Sequence, residues 1–441
     1  MAPALQGPAI GVDLGTSGCR AVALAPTGEV LGEARAPLPP SRRPGAGMSE
    51  QDPWPWWFAV LAVLRDLARV LPRRLAQGAQ ARVCVDATSA TLLLAAGDGE
   101  PLGPALMYDD TRARTEAAAI AVRAPEDSPA RGAGSSLAKL IWLGRHGPAR
   151  GRRIALHQAD WILGRLTGRF GVSDWNNCLK LGFDPVKGIW PDWVRGLDLM
   201  GIVLPDVLAP GTPVAALAQA VIEATGLPPG TLAVAGTTDS TAAVLAAGPL
   251  GVGDGVTSLG STLVIKVVGE WPVAEPRLGV YSQRLGDLWL IGGASNSGGA
   301  VLRRFFDDAE LRRLSAGMDS ERDSGLDYYP LPAPGERFPL SDPDLAPRLE
   351  PRPADDRAFL QGLLEGIARI EARGYRLLSE LGAPPVRRVL TIGGGAANPV
   401  WTRIRERLLG VPVSPAAQQE AAYGAARLAL LGPAASAGPG P

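Results

Sequence analysis

Residues 9–36 read AIGVDLGTSGCRAVALAPTGEVLGEARA. Three short apolar runs are separated by a glycine turn and by Pro26-Thr27-Gly28, a pattern that predicts an antiparallel meander of three strands. The first turn, Asp13-Leu14-Gly15-Thr16-Ser17-Gly18, ends a buried strand with a carboxylate and follows it with hydroxyls and glycines. Such a turn suits phosphate: glycines let backbone N–H groups approach an anion, Thr16 and Ser17 add donors, and Asp13 can hold a hydrated Mg²⁺. A hairpin turn capped by Asp reads equally well from this string alone.

Working outward, Pro53 to Leu71 (PWPWWFAVLAVLRDLARVL) has helical periodicity with proline in its first turn, and RVCVDAT after it reads as a short buried strand. The Trp trio Trp54, Trp56 and Trp57 reads as packing. A second half opens near Leu232, where LAVAGTTDS runs from an apolar strand into a small-residue turn and a helix. The segment Gly255 to Gly269, GVTSLGSTLVIKVVG, then repeats the outline of the opening: strand, L-G-S/T-rich turn, strand. Recurrence of the layout about 245 residues later favours two related lobes. Pro330 to Asp356 is rich in proline and charge and reads as a long surface excursion. From Arg357 an amphipathic helix leads into the strand RRVLTI, then Gly393-Gly394-Gly395 and another helix, and the tail after Gly432 reads as disordered.

A chain of 441 residues exceeds one ordinary core and fits two domains. Lys plus Arg and Asp plus Glu number 44 each, so net charge gives no reason to expect nucleic acid or an anionic membrane as partner. Only Lys139, Lys180, Lys187 and Lys266 are lysines, a bias that reads as genomic base composition. Cys19, Cys84 and Cys178 are widely spaced with no C-x-x-C pair, so neither a disulfide framework nor a zinc site is expected. Met1 to Pro8 has no signal-peptide pattern, no apolar run reaches about 18 residues, and the chain reads as cytoplasmic.

Three further strings bear on chemistry. Gly260-Ser261-Thr262 offers the donors of the first turn without its carboxylate, and two such turns, one per lobe, could pinch a polyphosphate. The triple glycine before Asn398 would let a flat base lie against the backbone, whereas a dinucleotide fold is disfavoured because GGGAAN lacks the third glycine of G-x-G-x-x-G. Asp239 in GTTDST stands where a strand gives way to a helix, and is either an N-cap or a general base. There is no G-x-x-x-x-G-K-[S/T] loop and no G-x-S-x-G elbow, and His146 and His157, the two histidines, cannot build a multi-His metal site.

The order of these motifs resembles the FGGY carbohydrate kinases over nearly all of residues 9–431. The matching strings are GVDLGTSGCRAV, YDDTRA, SSLAKLIWL, ADWILGRLTG with DWNN, AGTTDS, SLGST, GGGAANPVW and EAAYGAARLA. Within the family, SGLDYYPLPAPGERFP and the wording around LHQADW and NNCLKLGFDP look like the cyanobacterial and plant D-ribulose kinase branch. The resemblance implies an α/β, two-lobed, actin-like ATPase (ribonuclease H-like) fold, with duplicated lobes and an active site in the cleft between them. It implies a sugar-binding lobe of residues 9–245 with the C-terminal helix 420–432 packing back on it, and a nucleotide-binding lobe of residues 246–419. It also implies ATP and Mg²⁺ as cofactors: Asp13 would organise the metal and contact substrate, and Thr16, Ser17, Gly260, Ser261 and Thr262 would line the phosphates. Gly394, Gly395, Asn398 and Trp401 would flank the adenine, Ser89 would contact sugar, and Asp239 would be the catalytic base. Two departures fall on the sugar side: the usual Gln after the Ser-Gly pair is missing at TSATLLL, and Tyr108 stands where many members carry Trp before Asp110 and Arg112.

The expected activity is therefore transfer of the γ-phosphate of MgATP to a primary hydroxyl of a small ketose, D-ribulose first, by a monomer or homodimer. A kinase for D-xylulose or another sugar or polyol is the nearest alternative, and a non-catalytic actin-like or Hsp70-like ATP switch is a second. A sugar-sensing repressor would need a helix-turn-helix extension, and the eight residues before the first strand cannot hold one.

Overall fold

The computed structural model describes residues 7–71, 80–148, 151–248 and 250–434. The expectations for the extreme N-terminus and for the tail fall largely outside these residues. The chain forms two compact units, one within Met1–Ala246 and Glu420–Ser436, the other within Ala247–Gln419.

In the first unit Ala9–Leu14, Gly18–Leu24 and Val30–Pro37 form the antiparallel meander that the turn signals predict. Arg82–Ala87 pairs parallel to Ala9–Leu14, and Leu232–Thr238 pairs parallel to Arg82–Ala87. With Pro213–Ala216 on the edge this makes a six-stranded sheet. The second half of the chain thus does not open near Leu232: that strand belongs to the first sheet, and the repeated theme starts with Asp254–Leu259.

The helix Pro53–Val70 begins where the Asp52 carboxylate accepts the Trp54 amide, and it buries Trp56, Val60, Val63, Leu64 and Leu67 in the first core. Its Trp residues pack, as read: Trp56 Nε1 donates to Gln51 Oε1, and the Arg165 guanidinium lies over the rings of Trp54, Trp57 and Trp161. The C-terminal helix Ala421–Leu431 packs close to the sheet and to the helix Asp239–Ala246, and glycines permit it. A Cβ on Gly11 would lie 2.0 Å from the Ala422 carbonyl oxygen, and one on Gly424 would lie 1.8 Å from that of Ala242. A second, five-stranded sheet, in the order Ile202–Val203, Arg153–His157, Leu92–Ala96, Ala105–Leu106, Glu50–Gln51, covers a separate core with the helix Ser136–His146.

The second unit repeats the connection pattern. Asp254–Leu259, Leu263–Gly269 and Leu288–Ser295 form a meander, with Tyr281–Leu285 added at the edge; Arg388–Ile392 runs parallel to Asp254–Leu259, and Val413–Pro415 parallel to Arg388–Ile392. The helix Asp356–Glu380 buries a long apolar face against this sheet. The expected surface excursion is partly interior instead. Phe338 and Leu331 are buried, and the buried Glu336 carboxylate accepts the Ser295 hydroxyl at 2.6 Å and the Asn296 amide at 2.8 Å. Proline and charge suggested solvent, but the charge is consumed by hydrogen bonds and the Phe338 ring fills space that Gly293 and Gly374 leave open.

Cys19, Cys84 and Cys178 are buried free thiols. His157 is buried between Asp160 Oδ2 and the Ser136 hydroxyl, and His146 stacks on Trp142, which gives both histidines structural settings. Among the described residues no helix is long and apolar enough to cross a membrane.

Candidate active site

Three parallel strands of the first sheet end side by side: Ala9–Leu14, Arg82–Ala87 and Leu232–Thr238. The carboxyl ends of parallel strands are where open α/β sheets place their ligand groups. Asp13 and Asp86 are register partners on the first two, and Asp239 follows the third directly, opening the helix Asp239–Ala246. Asp13 is 7% exposed, Asp86 is fully buried, and Asp239 is half-buried. The Ser240 amide donates to Asp239 Oδ1 at 2.6 Å, which fixes the carboxylate at the helix start.

Burial, then the charge of Asp239, pushes the Asp13 carboxyl up to about 6, against the opposing pull of Arg20 3.7 Å away. Burial first, and Asp13 next, raises Asp86 well above the usual carboxylate range. Among the described residues neither oxygen of Asp86 receives a well-formed hydrogen bond, and its nearest polar neighbours are the Asp13 carboxyl and its own backbone amide. This is the group that the sequence reading missed: one Asp inside RVCVDAT carries no local signal, and its meaning comes from register with Asp13.

Such a pair is destabilising when charged, with a sign that can be worked out. A carboxyl raised in the folded state contributes stability that is present below its unfolded pKa, near 4, and lost as pH rises through its folded value. Asp86→Asn should therefore raise the melting temperature of the metal-free protein at pH 8, by about 2–4 °C for each kcal/mol regained, and by much less at pH 4. Thermal unfolding of both proteins across that range checks it, and an equal or lower melting temperature for the variant at pH 8 would oppose it.

The turn Gly15–Gly18 closes on itself through the Gly15 amide and the Gly18 carbonyl, leaving Ser17 exposed and Thr16 half-exposed. Ser89 sits half-buried in the turn after Arg82–Ala87, and Tyr108 is 49% exposed. Arg112 is fully engaged, bidentate on Asp110, paired with Glu50 and stacked on Trp142.

In the second unit Gly260-Ser261-Thr262 joins the first two meander strands. The Gly299 and Ala300 amides donate to the Gly260 and Ser261 carbonyls, and a Cβ on Gly298 would lie 2.7 Å from Thr262 backbone, so glycine is required there. The Arg303 guanidinium, absent from the sequence reading, donates to Ser261 Oγ at 2.8 Å. Gly393 has φ +86 beside the Leu259 carbonyl, while a Cβ on Gly394 would meet open space. Two side chains expected to flank the base have partners within the protein. Trp401 is buried, with Nε1 on the Leu364 carbonyl, and it supports Gly395 from the core side. Asn398 is a helix cap: Oδ1 accepts the Val400 and Trp401 amides, and Nδ2 donates to Ser315 Oγ. An indole and an amide next to glycines read as ligand groups in the string, but the amide caps Pro399–Leu409 and the indole bonds to the helix Asp356–Glu380.

Set against known proteins, this arrangement has a family. The models of the N-terminal and C-terminal domains of the FGGY family of carbohydrate kinases match residues 9–246 and 255–432. The chain belongs to the FGGY family of carbohydrate kinases. It is 27% identical over 445 residues to the xylulose kinase of Escherichia coli (strain K12), covering 96% of this chain and 89% of that protein. It is 30% identical over 451 residues to the xylulose kinase of Streptomyces coelicolor, covering 96% and 88%. The crystal structure of xylulose kinase from Rhodospirillum rubrum shares the fold, with a TM-score of 0.81 at 24% identity, covering 96% of this chain and 90% of that one.

Proposed function

We propose that the chain transfers the γ-phosphate of ATP to a primary hydroxyl of a small ketose, with D-ribulose the acceptor and D-ribulose 5-phosphate the product. The observation that carries the chemistry is the half-buried Asp239 at the end of a parallel strand, in the same row of strand ends as Asp13. Asp239 takes the proton of the acceptor hydroxyl as that oxygen attacks the γ-phosphorus. Thr16 and Ser17 serve as phosphate donors, and Gly260, Ser261 and Thr262 form a second phosphate-binding turn. Arg303, beside Ser261, adds positive charge. The Gly393–Gly395 backbone receives the adenine, with Asn398 and Trp401 holding that backbone in place. Positioning and charge neutralisation supply most of the rate in such transfers.

Asp13 and Asp86 fit a divalent cation: two buried carboxylates in register, one of them with no well-formed hydrogen bond among the described residues, leave negative charge for a cation to offset. Two carboxylates suit Mg²⁺, an ion that keeps most of its waters and takes one or two of them. Bound there, Mg²⁺ would offset the phosphate charge. Asp13→Ala should accordingly weaken MgATP far more than metal-free ATP, and equal losses in the two titrations would make Asp13 a turn residue only.

Two observations bear on the sugar. The wording at Ser89–Thr91 and Tyr108 and the resemblance to the D-ribulose kinase branch support D-ribulose, and the names of the two relatives above favour D-xylulose as the second reading. The two ketoses differ in one hydroxyl configuration, and a site that pairs it in one orientation discriminates by about 1–3 kcal/mol, or roughly 5- to 150-fold in kcat/KM. The ratio of kcat/KM on one preparation at saturating MgATP decides: a ratio near one, or a preference for D-xylulose, removes D-ribulose as the acceptor. An ATP switch has no use for a base such as Asp239, and the motifs at Ser89 and Tyr108 would also go unused.

A further inference from the structure

Lys139, on the helix Ser136–His146, is fully buried. Its Nζ donates to the carbonyl oxygens of Ala90 at 2.9 Å, Met107 at 2.7 Å and Tyr108 at 3.4 Å. An ammonium has three donors and no acceptor, so three converging carbonyls satisfy it. They belong to two segments remote in sequence: the turn Thr88–Thr91, which carries Ser89, and the segment Met107–Asp110, which carries Tyr108.

Ala90 has φ +67, a left-handed conformation that disfavours a residue with a Cβ and persists where the surroundings impose it. The bond from Lys139 to the Ala90 carbonyl is one such imposition. The second segment is tied to the same helix twice, since Arg112, bidentate on Asp110, stacks on Trp142 at 4.9 Å. Burial, aided by the charges of Lys180 and Arg112, outweighs the pull of Asp110 and Asp109 and brings the Lys139 ammonium down to about 7. A buried lysine is expensive to keep, and here every donor is spent on the two loops that stand on the sugar side of the resemblance.

We propose that Lys139 is a positioning residue for the acceptor, locking the Ser89 turn to the Tyr108 segment and so fixing the spacing of two groups that grip the ketose. The proposal rests on the kinase reading. The test is Lys139→Met, similar in length but without donors, in steady-state kinetics with ketose and MgATP varied separately. The KM for the ketose should rise between about 10- and 100-fold, as expected for misplaced positioning groups, with the KM for MgATP changed less than about twofold. A variant with a lower apparent kcat and both KM values unchanged has lost only folded enzyme, which would overturn the proposal.

Lys139→Gln keeps two donors for the three carbonyls and tests the same point should the Met variant fail to fold: its ketose KM should rise at least about threefold with the KM for MgATP unchanged, and a ketose KM equal to wild type would overturn the proposal. If the wild type releases no ADP on any ketose, the kinase reading falls and this proposal with it.

Discussion

Asp239→Asn should lower kcat by about 10²–10⁴ while leaving ATP affinity nearly unchanged. The amide keeps the shape of the carboxylate and can still accept the Ser240 amide that fixes its position at the helix start, so the fold has no reason to respond. What it loses is a basic oxygen for the acceptor hydroxyl. Single-turnover kinetics together with an ATP titration separate the two quantities. Turnover within a factor of about three of wild type would return Asp239 to a structural role.

The largest expected effect on stability lies in the second unit. Arg405 and Glu371 form a bidentate pair at 2.6 Å for each bond, both buried, with Arg405 also on Thr391 Oγ1 and the Thr257 hydroxyl on Glu371. Thr257 and Thr391 are register partners on the two strands that run into Gly260 and Gly393. The pair therefore pins helix to sheet just below both turns. Arg405→Met leaves an uncompensated buried carboxylate and should cost about 3–5 kcal/mol, whereas the double replacement Arg405→Met with Glu371→Leu should recover most of that loss. Urea titrations of the three proteins check this, and a single variant within about 1 kcal/mol of wild type would contradict it.

What the sequence made legible follows from locality. The meander of residues 9–37, the helix Pro53–Val70 and the strand-to-helix step at Asp239 each declare themselves within one short window, through alternation, a cap or a glycine turn. Asp13 and Asp239 were readable because each stands at a strand end. Asp86 was not, since its neighbours are apolar and its partner lies on another strand, far away in sequence. Lys139 was hidden for the same reason: a lysine in SLAKLIWL looks like the polar edge of a helix until the carbonyls of Ala90 and Met107 close over it. Asn398 and Trp401 show the opposite difficulty: the string does not reveal that Asn398 caps the helix Pro399–Leu409 or that the Trp401 indole bonds to the Leu364 carbonyl of the helix Asp356–Glu380. The Pro330–Asp356 stretch failed through composition, since its polar count conceals a buried Phe338 and a buried, fully bonded Glu336.

The most direct measurement is ADP release by the wild-type protein in MgATP, with and without each member of a panel of ketoses, aldoses and polyols. The account predicts little release without sugar and strong stimulation by a small ketose, with D-ribulose foremost and a phosphorylated ketose as product. ADP release that no sugar stimulates would contradict it.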